Sequence, residues 1–356
     1  MKKMFFFAAM ASVAFASCTT DEKVFDGTDE SNEIRFAVAQ YSPQSRAEHD
    51  EGAAFNENVT IWSWYDGNAE TVIDADVWNK TTYSTTGFMS NYKYYWPVDD
   101  KSLDFVAVPT SLVGTPYFTA PTRDASGATE LVFKIASGTD YHSTNLMATE
   151  VLTGNRTTGT VALLFRHLLS KVNIKVSQKE RANTDARWTV TINDLDITGL
   201  KCTGSVEIDD AWNAKNDGLP RFWDTVGGSE TWNVNTSAHS LYASGDESAA
   251  KTDFTSAETF YMLPQTLEDG VQQITIQYTV VTDYLGNPTQ PNTTETYTKT
   301  FDLKGATAIA KWAMNKVITY NIAIDPSETL SQITFTVNEE EWGTESGSTP
   351  DVDPIP

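Results

Sequence analysis

The 356-residue chain sets 25 Lys and Arg against 48 Asp and Glu, a formal charge of −23 at pH 7. That excess of carboxylate disfavours nucleic acid and anionic lipid as partners, since both would be approached through a repulsive field. Its two cysteines are Cys18 and Cys202, and the first lies in an export signal, so the mature chain has no pair for an intramolecular disulfide and must hold itself together by burial.

The first residues, Met1-Lys2-Lys3, are basic, Met4–Ala16 is apolar, and Ser17-Cys18 follows. A basic start, an apolar run and small residues before a break make a secretory signal. The run falls short of the about 20 apolar residues of a spanning helix. Ala16-Ser17-Cys18 resembles a bacterial lipobox, which implies that Cys18 becomes the first mature residue and carries acyl chains such as palmitate. Several chains on one residue hold a protein at a membrane where one chain does so only marginally. Asp21, Glu22, Asp26, Asp29, Glu30 and Glu33 follow. This acidic stretch resembles the surface-export signal of Bacteroidetes lipoproteins, and it reads equally as a solvated tether.

Beyond the tether the apolar period is two, the mark of half-buried strands. Ile34, Phe36 and Val38 alternate with Arg35 and Ala37. Strands are predicted at Val59–Tyr65, Tyr92–Pro97, Leu103–Val108 and Leu131–Ile135. Val172, Ile174 and Val176 make another, followed by Trp188–Ile192 and Gly204–Ile208. Ile274, Ile276, Tyr278 and Val280 lead through Tyr284-Leu285-Gly286-Asn287-Pro288 to Thr296–Leu303, a long hairpin. Ile318, Tyr320, Ile322 and Ile324, then Ile333, Phe335 and Val337, close the series. Helical periodicity is confined to two short stretches, Leu163–Leu169 and Ala306–Ala313. The expected fold is mainly antiparallel β, in sandwich-like units. A boundary fits near Arg166–Lys171, dividing 47–168 from 169–343, and the polar tail 344–356 is expected to be disordered.

Chemistry is sparse. His49, His142, His167 and His239 stand far from one another and from cysteine, so no zinc spacing exists. No nucleophile elbow, phosphate loop or dinucleotide glycine pattern is present. The sequence thus reads as that of a non-enzyme without metal or cofactor. His167, between Phe165 and Leu168, reads as a core histidine, and Cys202 as a small buried strand residue. Paired acids, as at Asp99-Asp100, Asp209-Asp210 and Glu339-Glu340-Glu341, are unavoidable in so acidic a chain. Asp209–Asp217 has calcium-type side chains without the spacing of a calcium loop. Trp62 and Trp64 lie opposite Val59 and Ile61, and Tyr92, Tyr94, Tyr95 and Trp96 cluster. These aromatics fit either inter-sheet packing or stacking on sugar rings, as do Trp212, Trp223 and Trp232.

Four stretches in order resemble the fimbrillin family of Bacteroidales, subunits of protease-matured (type V) pili. They are the lipoprotein signal with Glu33-Ile34-Arg35-Phe36 and Ser45-Arg46-Ala47; Leu164-Phe165-Arg166-His167-Leu168-Leu169-Ser170-Lys171-Val172-Asn173-Ile174; Phe260-Tyr261-Met262-Leu263-Pro264-Gln265; and Trp312-Ala313-Met314-Asn315-Lys316-Val317-Ile318-Thr319-Tyr320-Asn321-Ile322, closed by Ile333-Thr334-Phe335 and Trp342. The resemblance implies two transthyretin-like sandwich domains in tandem behind a signal (1–17) and a tether with a removable first strand (18–46). It implies cleavage by an arginine-specific protease between Arg46 and Ala47, other pilus subunits as partners, and a place at the outer membrane and in the fimbrium. Loss of Ile34, Phe36 and Val38 would uncover an apolar groove with unpaired edges, which a strand of the next subunit fills. A head-to-tail contact that does not close makes a filament. The donor is either the Gln332–Trp342 region with Ile333, Phe335 and Val337, or absent because the chain is a terminal or accessory subunit. A glycan-binding surface lipoprotein is the alternative reading.

Overall fold

The period-two patterning becomes strand in the computed structural model, which describes residues 32–38, 57–80, 87–99, 101–163, 165–179, 186–209, 223–235, 237–242, 249–256, 260–285, 289–304, 309–326 and 332–341. The first half carries β1 (Arg35–Val38), β2 (Val59–Tyr65), β3 (Thr71–Lys80), β4 (Gly87–Ser90), β5 (Leu103–Pro109), β6 (Phe118–Arg123) and β7 (Thr129–Ile135). Four short strands follow: β8 (Met147–Thr149), β9 (Leu152–Gly154), β10 (Thr160–Leu163) and β11 (Phe165–His167). The second half begins with β12 (Ser170–Gln178), β13 (Arg187–Leu200), β14 (Thr203–Asp209), β15 (Asp224–Gly227) and β16 (Glu230–Asn235). Then come β17 (His239–Ser240), β18 (Phe254–Thr255), β19 (Tyr261–Met262), β20 (Gln273–Asp283), β21 (Thr293–Asp302), β22 (Lys316–Asp325) and β23 (Gln332–Glu341). Among the described residues there is no α-helix.

A seven-stranded sheet runs β10-β1-β4-β3-β2-β5-β9. Its neighbours are antiparallel apart from β1 beside β10. β2 is covered on both faces. Val59 and Ile61 join a core with Ile34, Phe36, Trp78, Phe105 and Phe165. Trp62 and Trp64 enter a second core with Leu131 and Phe133 of β7 and Val206 and Ile208 of β14. The second half is a sandwich of two five-stranded sheets, one on the path β18-β12-β22-β23 and the other on β16-β13-β20-β21. Val172, Ile174, Tyr320 and Ile322 of one sheet meet Val190, Ile192, Ile276 and Tyr278 of the other. Parallel pairing recurs here, between β12 and β22. In β13 the register shifts, and Gly199 at φ +73° lies where a Cβ would stand 2.0 Å from the Val271 carbonyl oxygen. Only glycine fits that close approach.

The halves share a sheet. β14 pairs with β7 through Gly204↔Ile135 to Asp209↔Glu130, making the four-stranded order β15-β14-β7-β6 across the expected boundary. The Trp223 indole Nε1–H donates to the Leu168 carbonyl at 2.6 Å, and the Tyr261 N–H to the His142 carbonyl at 2.9 Å.

Several local expectations are corrected. Leu163–Leu169 is not helical: its described residues end β10 and form β11, and the Phe165/His167 alternation buries both. Of Ala306–Ala313, the described residues 309–313 form no helix, and Lys311 makes an isolated bridge to Thr266. Tyr92–Pro97 is not a strand but carries one bridge, Glu33↔Tyr95. Of the two readings open to Trp62 and Trp64, inter-sheet packing holds: both are core residues, 3% and 4% accessible.

Because β7 and β14 share one ladder, Phe133→Ala should cost about 3–5 kcal/mol and shift a single calorimetric transition for the whole chain. Two separate transitions, with only one shifted, would show that the shared sheet does not couple the halves.

Candidate functional site

β1 is a short strand with a neighbour on each side. Its parallel register to β10 pairs Arg35↔Thr160, Phe36↔Val161, Ala37↔Ala162 and Val38↔Leu163. On the other side Phe36 and Ala37 face Phe88 and Gly87 of β4. Just upstream, the Ile34 N–H donates to the Tyr94 carbonyl at 2.8 Å and the Trp96 N–H to the Asn32 carbonyl at 2.9 Å. Ile34 and Phe36 are each 1% accessible. The Phe36 ring meets Trp78 edge-on at 4.7 Å and Phe105 at 5.2 Å. Burial of such side chains is worth about 1.5–3 kcal/mol each, and offset or edge-to-face aromatic pairs add about 0.5–1.5 kcal/mol. Four residues therefore both fill a pocket and close a sheet.

β23 is the contrasting element. Ten residues pair with β22 from Lys316↔Glu341 to Asp325↔Gln332. It is the terminal strand of its sheet path. Ile333, Phe335 and Val337 are partly buried against the second-half core. The Phe335 ring stacks on Tyr320 at 5.6 Å and Phe301 at 5.3 Å. Its apolar positions repeat those of the first strand: Ile34-Arg35-Phe36-Ala37-Val38 and Ile333-Thr334-Phe335-Thr336-Val337 share Ile, Phe and Val at every second residue. Cys18, Arg46 and Ala47 lie outside the described residues, as do Trp212 and 210–217 of the calcium-type segment.

The candidate sugar platform is largely interior. Trp96, Trp223 and Trp232 are buried like Trp62 and Trp64, Tyr94 stacks on Trp78, and Tyr92, at 67% accessible, is the exposed member. Cys202 is buried beside Gly228, and burial raises its thiol pKa. His167 is a core histidine, its Nδ1 2.8 Å from the Asn145 side-chain oxygen, with burial holding its pKa down near 3. Among the described residues no group of three or more His, Cys, Asp and Glu is placed to hold a metal.

Two polar constellations were invisible in the sequence. Arg123 and Asp104 form a buried ion pair at 2.6 Å. His142 bridges the two halves: Nε2 lies 3.0 Å from a Glu230 carboxylate oxygen and Nδ1 2.8 Å from the Tyr261 carbonyl. Phe260 stacks on its ring at 4.4 Å, and Trp232 stacks on Phe260 at 3.7 Å. Both ring nitrogens face acceptors, which the doubly protonated imidazolium satisfies. Burial, the largest single influence, pushes the His142 pKa down. Glu230, the Tyr261 carbonyl and nearby Asp140 outweigh it, and the net shift is upward. These partners lie about 90 and 120 residues along the chain from His142, and no spacing rule finds them.

With the geometry described, comparison places the chain. A family model described as fimbrillin-like matches residues 45–342, and the chain belongs to that family. No curated protein matches it. Among solved structures, a fimbrial protein from Bacteroides vulgatus ATCC 8482 is 18% identical, covers 87% of this chain and 99% of its own, and has a TM-score of 0.56. It shares the fold. A candidate cell adhesion protein from Bacteroides uniformis ATCC 8492 aligns at 14% identity over 87% of this chain and 97% of its own, at a TM-score of 0.45. The tip fimbrial protein Mfa3 from Porphyromonas gingivalis aligns at 10% identity over 87% of this chain and 99% of its own, at 0.36.

Phe36→Ala in the uncleaved chain should destabilise it by about 3–5 kcal/mol, read as a lower urea midpoint; an unchanged midpoint would mean that β1 contributes nothing to the folded precursor. The His142 contribution has the opposite pH sense to a carboxylate's. With a raised folded-state pKa, it is complete below the unfolded value near 6.5 and is lost as pH rises through the folded value. The stability difference between wild type and His142→Gln should therefore shrink from about pH 6 to pH 8, and a difference that grows would refute the imidazolium bridge.

Proposed function

We propose that the chain is a fimbrial subunit that reaches the outer-membrane surface as a lipoprotein on Cys18. An arginine-specific protease then cuts between Arg46 and Ala47, and the subunit joins other pilus subunits by strand exchange, in the service of cell adhesion. In this reading 1–17 is the signal, 18–46 the tether and first strand, 47–168 and 169–343 the two sandwich domains, and 344–356 a disordered tail.

The carrying observation is β1. A four-residue strand with buried Ile34 and Phe36 lies between two other strands, and Arg46 stands in the segment that links it to β2. Cleavage there detaches β1 from the rest of the covalent chain. Its departure would leave β10 and β4 with unpaired N–H and C=O groups and an apolar slot against Trp78 and Phe105, a template for strand addition. The family match begins at residue 45, beside Arg46 and beyond β1.

The repeated Ile-x-Phe-x-Val pattern supports β23 as donor, with Ile333, Phe335 and Val337 in the places of Ile34, Phe36 and Val38. β23 has one described strand neighbour and incomplete burial, so its release costs less than that of a central strand. A non-closing exchange of this kind propagates head to tail.

Limited trypsin treatment of the purified precursor should give a product beginning at Ala47 and then a ladder of polymers on SDS gels, with filaments by electron microscopy. Phe335→Asp should leave cleavage intact and abolish the ladder. Clean cleavage at Arg46 with a monomeric product, together with absence of the protein from filaments on cells, would sink the assembly reading. Polymers formed undiminished by Phe335→Asp would place the donor elsewhere.

A further inference from the structure

A cleft of about 350 Å³ opens between the loop after β2 and the turn between β6 and β7. The size suits a small ligand. Asp66, Gly67, Asp104, Arg123, Ala128 and Thr153 are among the residues that line it. We propose that this cleft binds a neutral sugar unit, a function separate from strand exchange and independent of it.

The floor is built rather than incidental. The Arg123 side chain is 2% accessible and that of Asp104 6%. Arg123 donates from Nη2 to Asp104 and from Nη1 to the Thr129 hydroxyl, each at 2.6 Å. The Thr153 hydroxyl donates to the other Asp104 oxygen at 2.6 Å, and Arg123 lies 6.0 Å over the Trp64 ring. The guanidinium is thus fixed in place, yet its Nε is buried without a partner. A buried donor without an acceptor is the exception in folded proteins and calls for a reason.

The walls are rigid too. Gly127 at φ +87° packs so close that a Cβ would stand 2.6 Å from the Gly67 carbonyl carbon. The Asp124 carboxylate accepts from the N–H groups of Ser126 and Ala128 at 2.8 and 3.0 Å. The Asp66 N–H donates to the Ser102 carbonyl at 3.0 Å.

Charge selects the ligand class. Asp104 and Arg123 neutralise each other, leaving the exposed Asp66 carboxylate at the rim as an acceptor and the guanidinium at the floor as donor. An anion is repelled by Asp66 and by the charge of −23 on the whole chain. A metal cation is attracted by Asp66 but finds no group of three ligating side chains among the described residues, and it leaves the Arg123 Nε–H without an acceptor. A sugar hydroxyl both donates and accepts, and Ala128 and Val151 offer small apolar surface to a ring.

The test is a glycan microarray probed with the full mature chain, followed by saturation-transfer NMR with the free monosaccharide of each hit. Wild type should bind glycans ending in neutral hexoses. Asp66→Asn and Ala128→Trp, both at exposed positions, should keep the wild-type melting temperature and weaken binding by about tenfold or more. No neutral-sugar hit, binding confined to acidic glycans, or binding unchanged in both variants would overturn the proposal.

Discussion

The seven-stranded sheet closes around Phe36. Its ring lies against Trp78 and Phe105, and its backbone lies between β10 and β4. Both the apolar pocket and the backbone pairing must be filled by something, since an open slot leaves apolar surface and unpaired amides together. Neither requirement depends on which chain supplies the filler. A strand with large apolar side chains at alternate positions meets both. That indifference to covalent origin is the physical opening through which a fold can become an assembly.

The rest of the molecule is arranged so that such a vacancy need not unravel it. β2 and β5 are buried on both faces, between the core that holds Phe36 and the core shared with β7 and β14. The second core joins residues from both halves, and the β7–β14 ladder ties the halves by main chain as well as side chains. Under the proposed assembly, the loss would open the sheet between β10 and β4 and the core that holds Phe36, while the core shared with β7 and β14 stays packed. The 168/169 division of the sequence is therefore crossed by structure, and a boundary read from chain length alone does not see the crossing.

Alternation carried the fold. Ile274 to Val280 and Ile318 to Ile324 are half-buried strands, and period two is their direct consequence. What failed did so for identifiable reasons. For Trp62 and Trp64 alternation left packing and exposure both open, because β2 is covered on both faces, where alternation says nothing about exposure. Leu163–Leu169 looked helical because apolar residues crowd two short strands. Within Tyr92–Trp96, Tyr94 and Trp96 cap the β1 core from a loop, Tyr94 by stacking on Trp78. The polar sites were illegible for a different reason. Arg123 meets Asp104, and His142 meets Glu230, only through tertiary pairing, and the sequence separations carry no period.

Two strands at the margins of the second sandwich show how edges are told apart. β21 pairs with β20 over ten residue pairs without a register shift. A flat exposed edge of that length invites unwanted pairing. Glu295 and Lys299 occupy the same alternation as Tyr297 and Phe301, so charges interrupt its core-facing row. A foreign sheet pairing there would have to desolvate them. In β23 the corresponding row is Ile333, Phe335 and Val337 without a charge, and the acidic residues stand beyond it at Glu339-Glu340-Glu341. One edge is thus guarded within its apolar row and the other only past its end. An edge that is to leave its own sheet for another must stay apolar, because the row that holds it at home is the same row that would anchor it in the next subunit.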